Sequence, residues 1–337
     1  MRFAPGRQGR ILASIAALPD LRAHVGRCGD TEPRSSSRGQ LSGAKTLSGH
    51  ALLNAQTVED CILDQGWERY TAEDHAIWRV LFERQQRTLK GHVCQEYLDG
   101  LAALGIGPEG VPDFARMNER LRRLTGWEVV AVPGLIPSRP FFQMLANRQF
   151  PAGTFIRSRE QLDYLEEPDI FHDVFGHVPL LTNPAYADYM NEYGRIGLVA
   201  VETKGVKFLA RLNWYTIEFG LIRKPEGIRI YGAGIVSSFG EAKYVVDDPS
   251  AHHLAFDIER VLRTGYYIDD FQATYFVIDR FEDLFDLLRG SDFTTRFDEL
   301  RALPAHTPFE ILPQDVVVRK GSGHFWRDFP TTKTKLK

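Results

Sequence analysis

The stretch Glu167-Pro-Asp-Ile-Phe-His172-Asp-Val-Phe-Gly-His177-Val-Pro179 carries the densest chemical information in this 337-residue sequence. Two histidines five apart on an ideal α-helix point about 140° from each other, because each residue turns about 100°. A regular helix therefore cannot bring both onto one metal ion. Gly176 permits a C-terminal break before His177, and Pro179 cannot continue a helix. The sequence thus predicts His172 on a last turn with His177 just beyond it, the two converging. The alternative is one buried, hydrogen-bonded histidine and one exposed one. The spacing also differs from HExxH, whose histidines share one helix face with a glutamate base between them.

A third ligand candidate lies 41 residues after His177, in Trp214-Tyr-Thr-Ile-Glu218-Phe-Gly-Leu-Ile222. A helix here surrounds Glu218 with Trp214, Leu221 and Ile222, and a carboxylate on such a face must be protonated, paired with a cation or bound to a metal. Arg211 and Arg223 are the candidate ion-pair partners. Two histidines and one carboxylate with open positions make the facial triad of non-haem Fe(II) oxygenases. A zinc hydrolase with His₂Glu ligands is the chemical competitor.

Around these motifs the periodicity is mostly helical. Thr71-Ala-Glu-Asp74 reads as a capping-box variant opening a helix through Ile77, Trp78, Leu81 and Phe82. Asp113 caps a second helix that ends at Thr125-Gly126, and Asn183-Pro184 starts another. Further helices are expected over Val206–Arg223, Pro249–Thr264 and Arg280–Arg289, with Gly290 as a stop. Strand signals are short: Glu128–Val132, Ile228–Tyr231, Tyr275–Ile278 and Asp315–Arg319. Without regular βαβ alternation or an internal repeat, Rossmann and barrel folds are disfavoured. The expected fold class is mainly α with small β elements.

With 43% hydrophobic and 25% charged residues the chain can bury a full core without a structural metal or disulfides. Its 41 basic and 44 acidic side chains leave a net charge of −3, and the pI near 6.4 offers no field for nucleic acid or an anionic membrane. Small-molecule partners are expected. No run of about 18 apolar residues marks a membrane span. Cys28, Cys61 and Cys94 form neither a disulfide framework nor a CxxC motif, which favours a cytoplasmic compartment. Residues 1–50 differ from the rest: eight Arg or Lys stand against Asp20, Asp30 and Glu32, beside a Ser-rich stretch. That composition reads as a disordered arm, a transit peptide or an upstream-start extension. The division expected is an arm over 1–50, one catalytic domain over 51–320 and a tail over 321–337.

The histidine motif His172-Asp-Val-Phe-Gly-His177-Val-Pro-Leu is followed by the glutamate motif and by Tyr231-Gly-Ala-Gly-Ile-Val-Ser237-Ser-Phe-Gly-Glu241. Together they resemble the pterin-dependent aromatic amino acid hydroxylases, in their short bacterial form, over roughly Gln56 to Asp315. The resemblance implies a basket-like helical catalytic domain, Fe(II) at His172, His177 and Glu218, and a tetrahydropterin supplying two electrons. It implies hydroxylation of L-phenylalanine to L-tyrosine with O₂. Tyrosine or tryptophan as substrate, or an inactive pterin or aromatic amino acid binding protein, are the alternatives.

By the same resemblance Arg157 holds the substrate carboxylate and Asp169 fixes that arginine, where the bland reading is a surface ion pair. Pro168, Trp214 and Phe219 wall the aromatic pocket, and Ser237 supports the site and an iron ligand through hydrogen bonds. Gly134, Leu135, Phe141 and Glu167 face the pterin. Ser238 and Glu241 also fit a capping box. Asn213 departs from the family tyrosine before Trp214, and Leu165 replaces a threonine of the animal enzymes. With no heptad pattern after Leu312, a monomer is expected. His252 and His253 are expected to face solvent at the start of a charged helix.

Overall fold

Thr71 opens the first long helix as its sequence predicts: its hydroxyl accepts the Asp74 N–H, and the Asp74 carboxylate accepts the Thr71 N–H. The structure, a computed structural model, describes residues 57–323 apart from 164, 166 and 269. The arm over 1–50 and nearly all of the tail lie outside the described residues. In chain order the described part runs α1 (Ala72–Leu89), α2 (Gln95–Leu104), α3 (Phe114–Thr125), β1 (Glu128–Val132), α4 (Ser138–Ala146) and β2 (Gln149–Gly153). Then come α5 (Pro184–Thr203), α6 (Val206–Asn213), β3 (Leu221–Lys224), β4 (Gly227–Ile230), α7 (Ala233–Val236) and α8 (Phe239–Asp247). The last are β5 (His252–Ala255), α9 (Ile258–Arg263), β6 (Thr274–Ile278), α10 (Phe281–Leu288), α11 (Phe293–Ala302) and β7 (Val317–Arg319).

Asp113 caps α3 through the Ala115 N–H, Gly126 ends it in the left-handed conformation, and Asn183 caps α5 through Tyr186. These local signals act over two to four residues, so the sequence suffices to place them. The strands form a parallel pair, β1 with β2, and a five-stranded mixed sheet in the order β4-β3-β6-β5-β7. One hydrophobic core runs through helices and sheet, from Trp78 and Tyr97 to Tyr275 and Phe297.

Two expected helices are corrected. Val206–Arg223 stops being helical at Glu218, and Leu221–Lys224 pairs with β4 and β6 instead. The turn at Gly220 leaves no room for a side chain, since an added Cβ would stand 2.3 Å from the Thr216 carbonyl oxygen. Pro249–Thr264 is helical only over Ile258–Arg263. His252 and His253 lie in β5, 3% and 5% exposed, between β6 and β7. There the Gly321 N–H donates to His252 Nδ1 at 2.7 Å and His253 packs edge-on to Tyr275. Pairing with strands distant in sequence overrides the local helical pattern.

Candidate metal centre

His172 and His177 share one π-helical segment, Phe171–His177, with no break at Gly176. In a π-helix each N–H reaches back five residues, so residues five apart stack one turn above the other. The wider turn thus brings together side chains that an α-helix would splay. Gly176 serves close packing: a Cβ there would meet the Ala233 carbonyl oxygen at 3.1 Å. The extra width is braced from outside, with Tyr97 donating to the Phe175 carbonyl at 2.7 Å and Phe171 stacked on Phe175 at 4.6 Å. Glu218 ends a second π-helical turn, Trp214–Glu218, closed by Phe219 N–H donating to the Trp214 carbonyl at 2.9 Å. The short helix α7 packs against both turns.

The three side chains converge. The two Nε2 atoms are 3.2 Å apart, His172 Nε2 is 3.7 Å from Glu218 Oε2, and His177 Nε2 is 3.5 Å from Glu218 Oε1. Donor atoms bound to one ion at about 2.1 Å and at right angles sit about 3 Å apart, so the triad is close to a chelating geometry. Neither candidate arginine neutralises Glu218: Arg211 donates to the Leu262 carbonyl and Arg223 pairs with Asp279.

Hydrogen bonding settles which nitrogen of His172 is free. Ser237 Oγ donates to the Ala233 carbonyl at 2.7 Å and lies 2.9 Å from His172 Nδ1. Its one hydrogen being used, Oγ accepts from Nδ1–H, which leaves Nε2 with a bare lone pair. Ser237 sits just after α7, not at a helix start. Burial pushes His172 down to about 3, with Arg157 adding to it, and holds His177 well below its ordinary value. Burial also raises Glu218 to about 8. Glu218 Oε2 and His177 Nδ1 are buried without a hydrogen-bond partner. Two neutral imidazoles and a carboxyl group, converging in a buried site, fit a divalent cation of the N/O-preferring kind.

Arg157 and Asp169 form a buried fork, not the surface ion pair of the bland reading. Arg157, 3% exposed, donates through Nε and Nη2 to both oxygens of Asp169 at 2.8 Å, and its backbone N–H adds a third bond at 3.0 Å. Asp169 Oδ1 also accepts the His172 backbone N–H at 3.1 Å, so one carboxylate orients both the arginine and a triad histidine.

Residues 67–313 match the model of the biopterin-dependent aromatic amino acid hydroxylases. The chain belongs to that family. Its relatives include phenylalanine-4-hydroxylases of Caulobacter vibrioides (54% identical, 82% of this chain and 95% of the relative) and Ralstonia nicotianae (53%, 82% and 88%). Among solved structures, Chromobacterium violaceum phenylalanine hydroxylase with bound iron(III) and 7,8-dihydrobiopterin matches at TM-score 0.73. It is 50% identical over 76% of this chain and 92% of that one. The hydroxylase fold, mainly helical with a small sheet, is therefore the expected one.

The other residues to which the resemblance points are placed as follows. Pro168 is buried. Trp214 is fully enclosed, stacked on Tyr266 at 4.3 Å and tilted against Phe219 at 4.7 Å, with its Nε1–H donating to Gln272 Oε1 at 2.8 Å. Gly134 has φ of 144°, a glycine-favouring value, with open space where a side chain would be. Leu135 is half-buried, Phe141 is buried edge-on to Phe142, and Glu167 is exposed. Among the described residues no hydrogen bond or ring contact joins these four to the triad. Asn213 donates to Glu218 Oε1 at 3.4 Å. Leu165 is buried.

Asp173 carries no role in the motif. It is buried beside His172, accepts the Gly153 N–H at 2.7 Å, and burial raises it to about 7. A carboxylate inside the apolar run Ile170–Phe175 was the available signal. Gln272 carried none, since its link to Trp214 spans 58 residues.

Proposed function

We infer that this chain is an iron- and tetrahydropterin-dependent monooxygenase that hydroxylates L-phenylalanine to L-tyrosine with O₂. The observation that carries the reading is the buried, converging triad, with Glu218 Oε2 left without a partner, set beside the buried Arg157–Asp169 fork. Bound iron and reduced pterin would supply what side chains lack, namely activation of O₂ and two of the four electrons that its reduction requires, the ring carbon that is hydroxylated giving the other two. One oxygen atom goes to the ring and the other leaves reduced.

The chain's own residues bind, orient and exclude water. His172, His177 and Glu218 hold the iron, and Ser237 keeps His172 in the tautomer that presents Nε2. Asp169 takes Nε and Nη2 of Arg157, leaving Nη1 outside that pairing and directed to the substrate carboxylate. Phe219, backed by Trp214, and Pro168 enclose the aromatic ring. Gly134, Leu135, Phe141 and Glu167 form the pterin side, the open space at Gly134 admitting a flat ring against the backbone.

The catalytic domain is residues 51–320, and the protein acts as a cytoplasmic monomer on small molecules, away from membranes and nucleic acid. Cys61 and Cys94, buried and free, support a reducing compartment; no helix among the described residues is long and apolar enough to cross a membrane. Purified protein given Fe(II), a tetrahydropterin and O₂ should convert phenylalanine to tyrosine, and competition with tyrosine and tryptophan should favour phenylalanine. Absence of pterin-dependent product from iron-loaded protein overturns the reading. Size-exclusion with light scattering checks the monomer.

A further inference from the structure

Glu241 is a buried carboxyl that the hydroxylase chemistry does not use. The sequence suggests a capping box with Ser238, yet only half of it forms. Ser238 Oγ accepts the Glu241 N–H at 3.3 Å, while the Ser238 N–H goes to the Ile235 carbonyl. The Glu241 side chain turns inward instead. Its Oε1 accepts the Tyr275 hydroxyl and, at 3.3 Å, the Gln272 backbone N–H. No Lys or Arg bonds to it among the described residues, and burial raises it to about 7, Asp270 adding to the rise. An acid left in this state destabilises the fold, so its place is not explained as an ion pair.

Gln272 is the next link. Its Nε2 donates to the Tyr267 and Asp270 carbonyls at 3.0 and 3.1 Å, which orients the amide and turns Oε1 toward Trp214 Nε1–H. With both amide hydrogens and Oε1 engaged, Gln272 ties the loop after α9 into one unit. That loop also carries Tyr266, on which Trp214 stacks. Trp214 in turn packs against Phe219, the residue that follows Glu218.

We propose that Glu241 is a positioning residue for the substrate pocket: through Gln272 it holds Trp214 and so sets the place of the Phe219 wall against which the aromatic ring packs. It touches neither substrate nor metal. The inference rests on the hydroxylase reading, with Trp214 and Phe219 as the aromatic wall.

The test compares Glu241→Ala, Glu241→Gln and Gln272→Met with the unaltered iron-loaded protein. KM for phenylalanine, KM for pterin, kcat, Co(II) affinity of the metal-free forms and tryptophan emission are the readouts. Glu241→Ala and Gln272→Met should each raise KM for phenylalanine about tenfold, the scale of one lost buried hydrogen bond. Co(II) affinity and pterin KM should stay within about twofold. Gln272→Met should also shift tryptophan emission, because a buried indole N–H loses its partner. Glu241→Gln, whose amide oxygen still accepts both bonds, should stay near the unaltered protein. The double variant should add little to either single one, since both act on one chain of contacts.

An unchanged phenylalanine KM in Glu241→Ala and Gln272→Met, or a parallel loss of Co(II) affinity, overturns the proposal. If Glu241→Ala does not fold, Gln272→Met decides alone, because it leaves Glu241 and Tyr275 in place. Failure of the unaltered protein to hydroxylate phenylalanine sinks the functional reading instead.

Discussion

Ser237 Oγ stands 2.9 Å from His172 Nδ1 and spends its own hydrogen on the Ala233 carbonyl, so the histidine must donate to the serine and present Nε2 bare. A partner that fixes tautomer and ring orientation is worth about 10–100-fold in metal affinity. Ser237→Ala should weaken Co(II) binding by that factor with little change in thermal stability of the metal-free form. Metal titration followed by visible absorption checks it.

Metal binding should release a proton. Glu218, raised to about 8 without metal, is protonated at neutral pH, whereas His172 and His177 are already neutral. The ion must displace the Glu218 proton, so apparent affinity should weaken about tenfold per pH unit below 8. Calorimetry at pH 7 in buffers of different ionisation enthalpy should count close to one proton. A count of zero would mean that Glu218 is already ionised in the metal-free protein.

Stability of the metal-free protein should fall as pH rises from about 6.5 to 8. Glu218, Asp173 and Glu241 are raised to about 8, 7 and 7, so over that window the folded state holds protons that the unfolded state has lost. His172, lowered to about 3, acts oppositely, but only below its unfolded value of 6.5. Melting curves across this window, with and without metal, test the sign; loading metal should flatten the slope by removing the Glu218 part.

Breaking the Arg157–Asp169 fork separates binding from folding. Asp169→Ala strands a buried guanidinium and should cost about 3–5 kcal/mol of stability, read by denaturant unfolding. Arg157→Lys keeps the charge but cannot make the planar two-toothed contact, so it should raise KM for phenylalanine more than it lowers kcat.

Gly232 tolerates no side chain. A Cβ there would stand 2.3 Å from the Glu218 carbonyl oxygen and 2.5 Å from the Gly220 nitrogen, both backbone atoms that cannot swing away. Gly232→Ala should destabilise the fold by about 2–3 kcal/mol and weaken metal binding as the Glu218 turn shifts. Unaltered melting and Co(II) affinity would contradict that packing.

How much was legible depended on range along the chain. Thr71, Asp113, Asn183 and Gly126 act on groups two to four residues away, and each stands where its local signal puts it. The two histidines and Glu218 were legible as a ligand set by type and surroundings, yet the helix break expected at Gly176 is replaced by a π-helical turn. Spacing could show that an α-helix fails, but not which irregular backbone takes its place. His252 and His253 misled for a related reason: their helical pattern is local, and the strands that claim them lie about 20 and 65 residues further on.

The sequence by itself determined the helix starts at Thr71, Asp113 and Asn183, the mainly helical class with short strands, and which side chains could hold a metal, because these follow from side-chain type and bonds within a turn or two. Only the tertiary structure decided the tautomer of His172, the sharing of Asp169 between Arg157 and the triad, and the inward turn of Glu241. The His172–Ser237 contact joins residues 65 apart and Trp214–Gln272 residues 58 apart. Bonds of that reach form only when packing of the whole core excludes water and brings buried polar groups from distant segments within reach of one another.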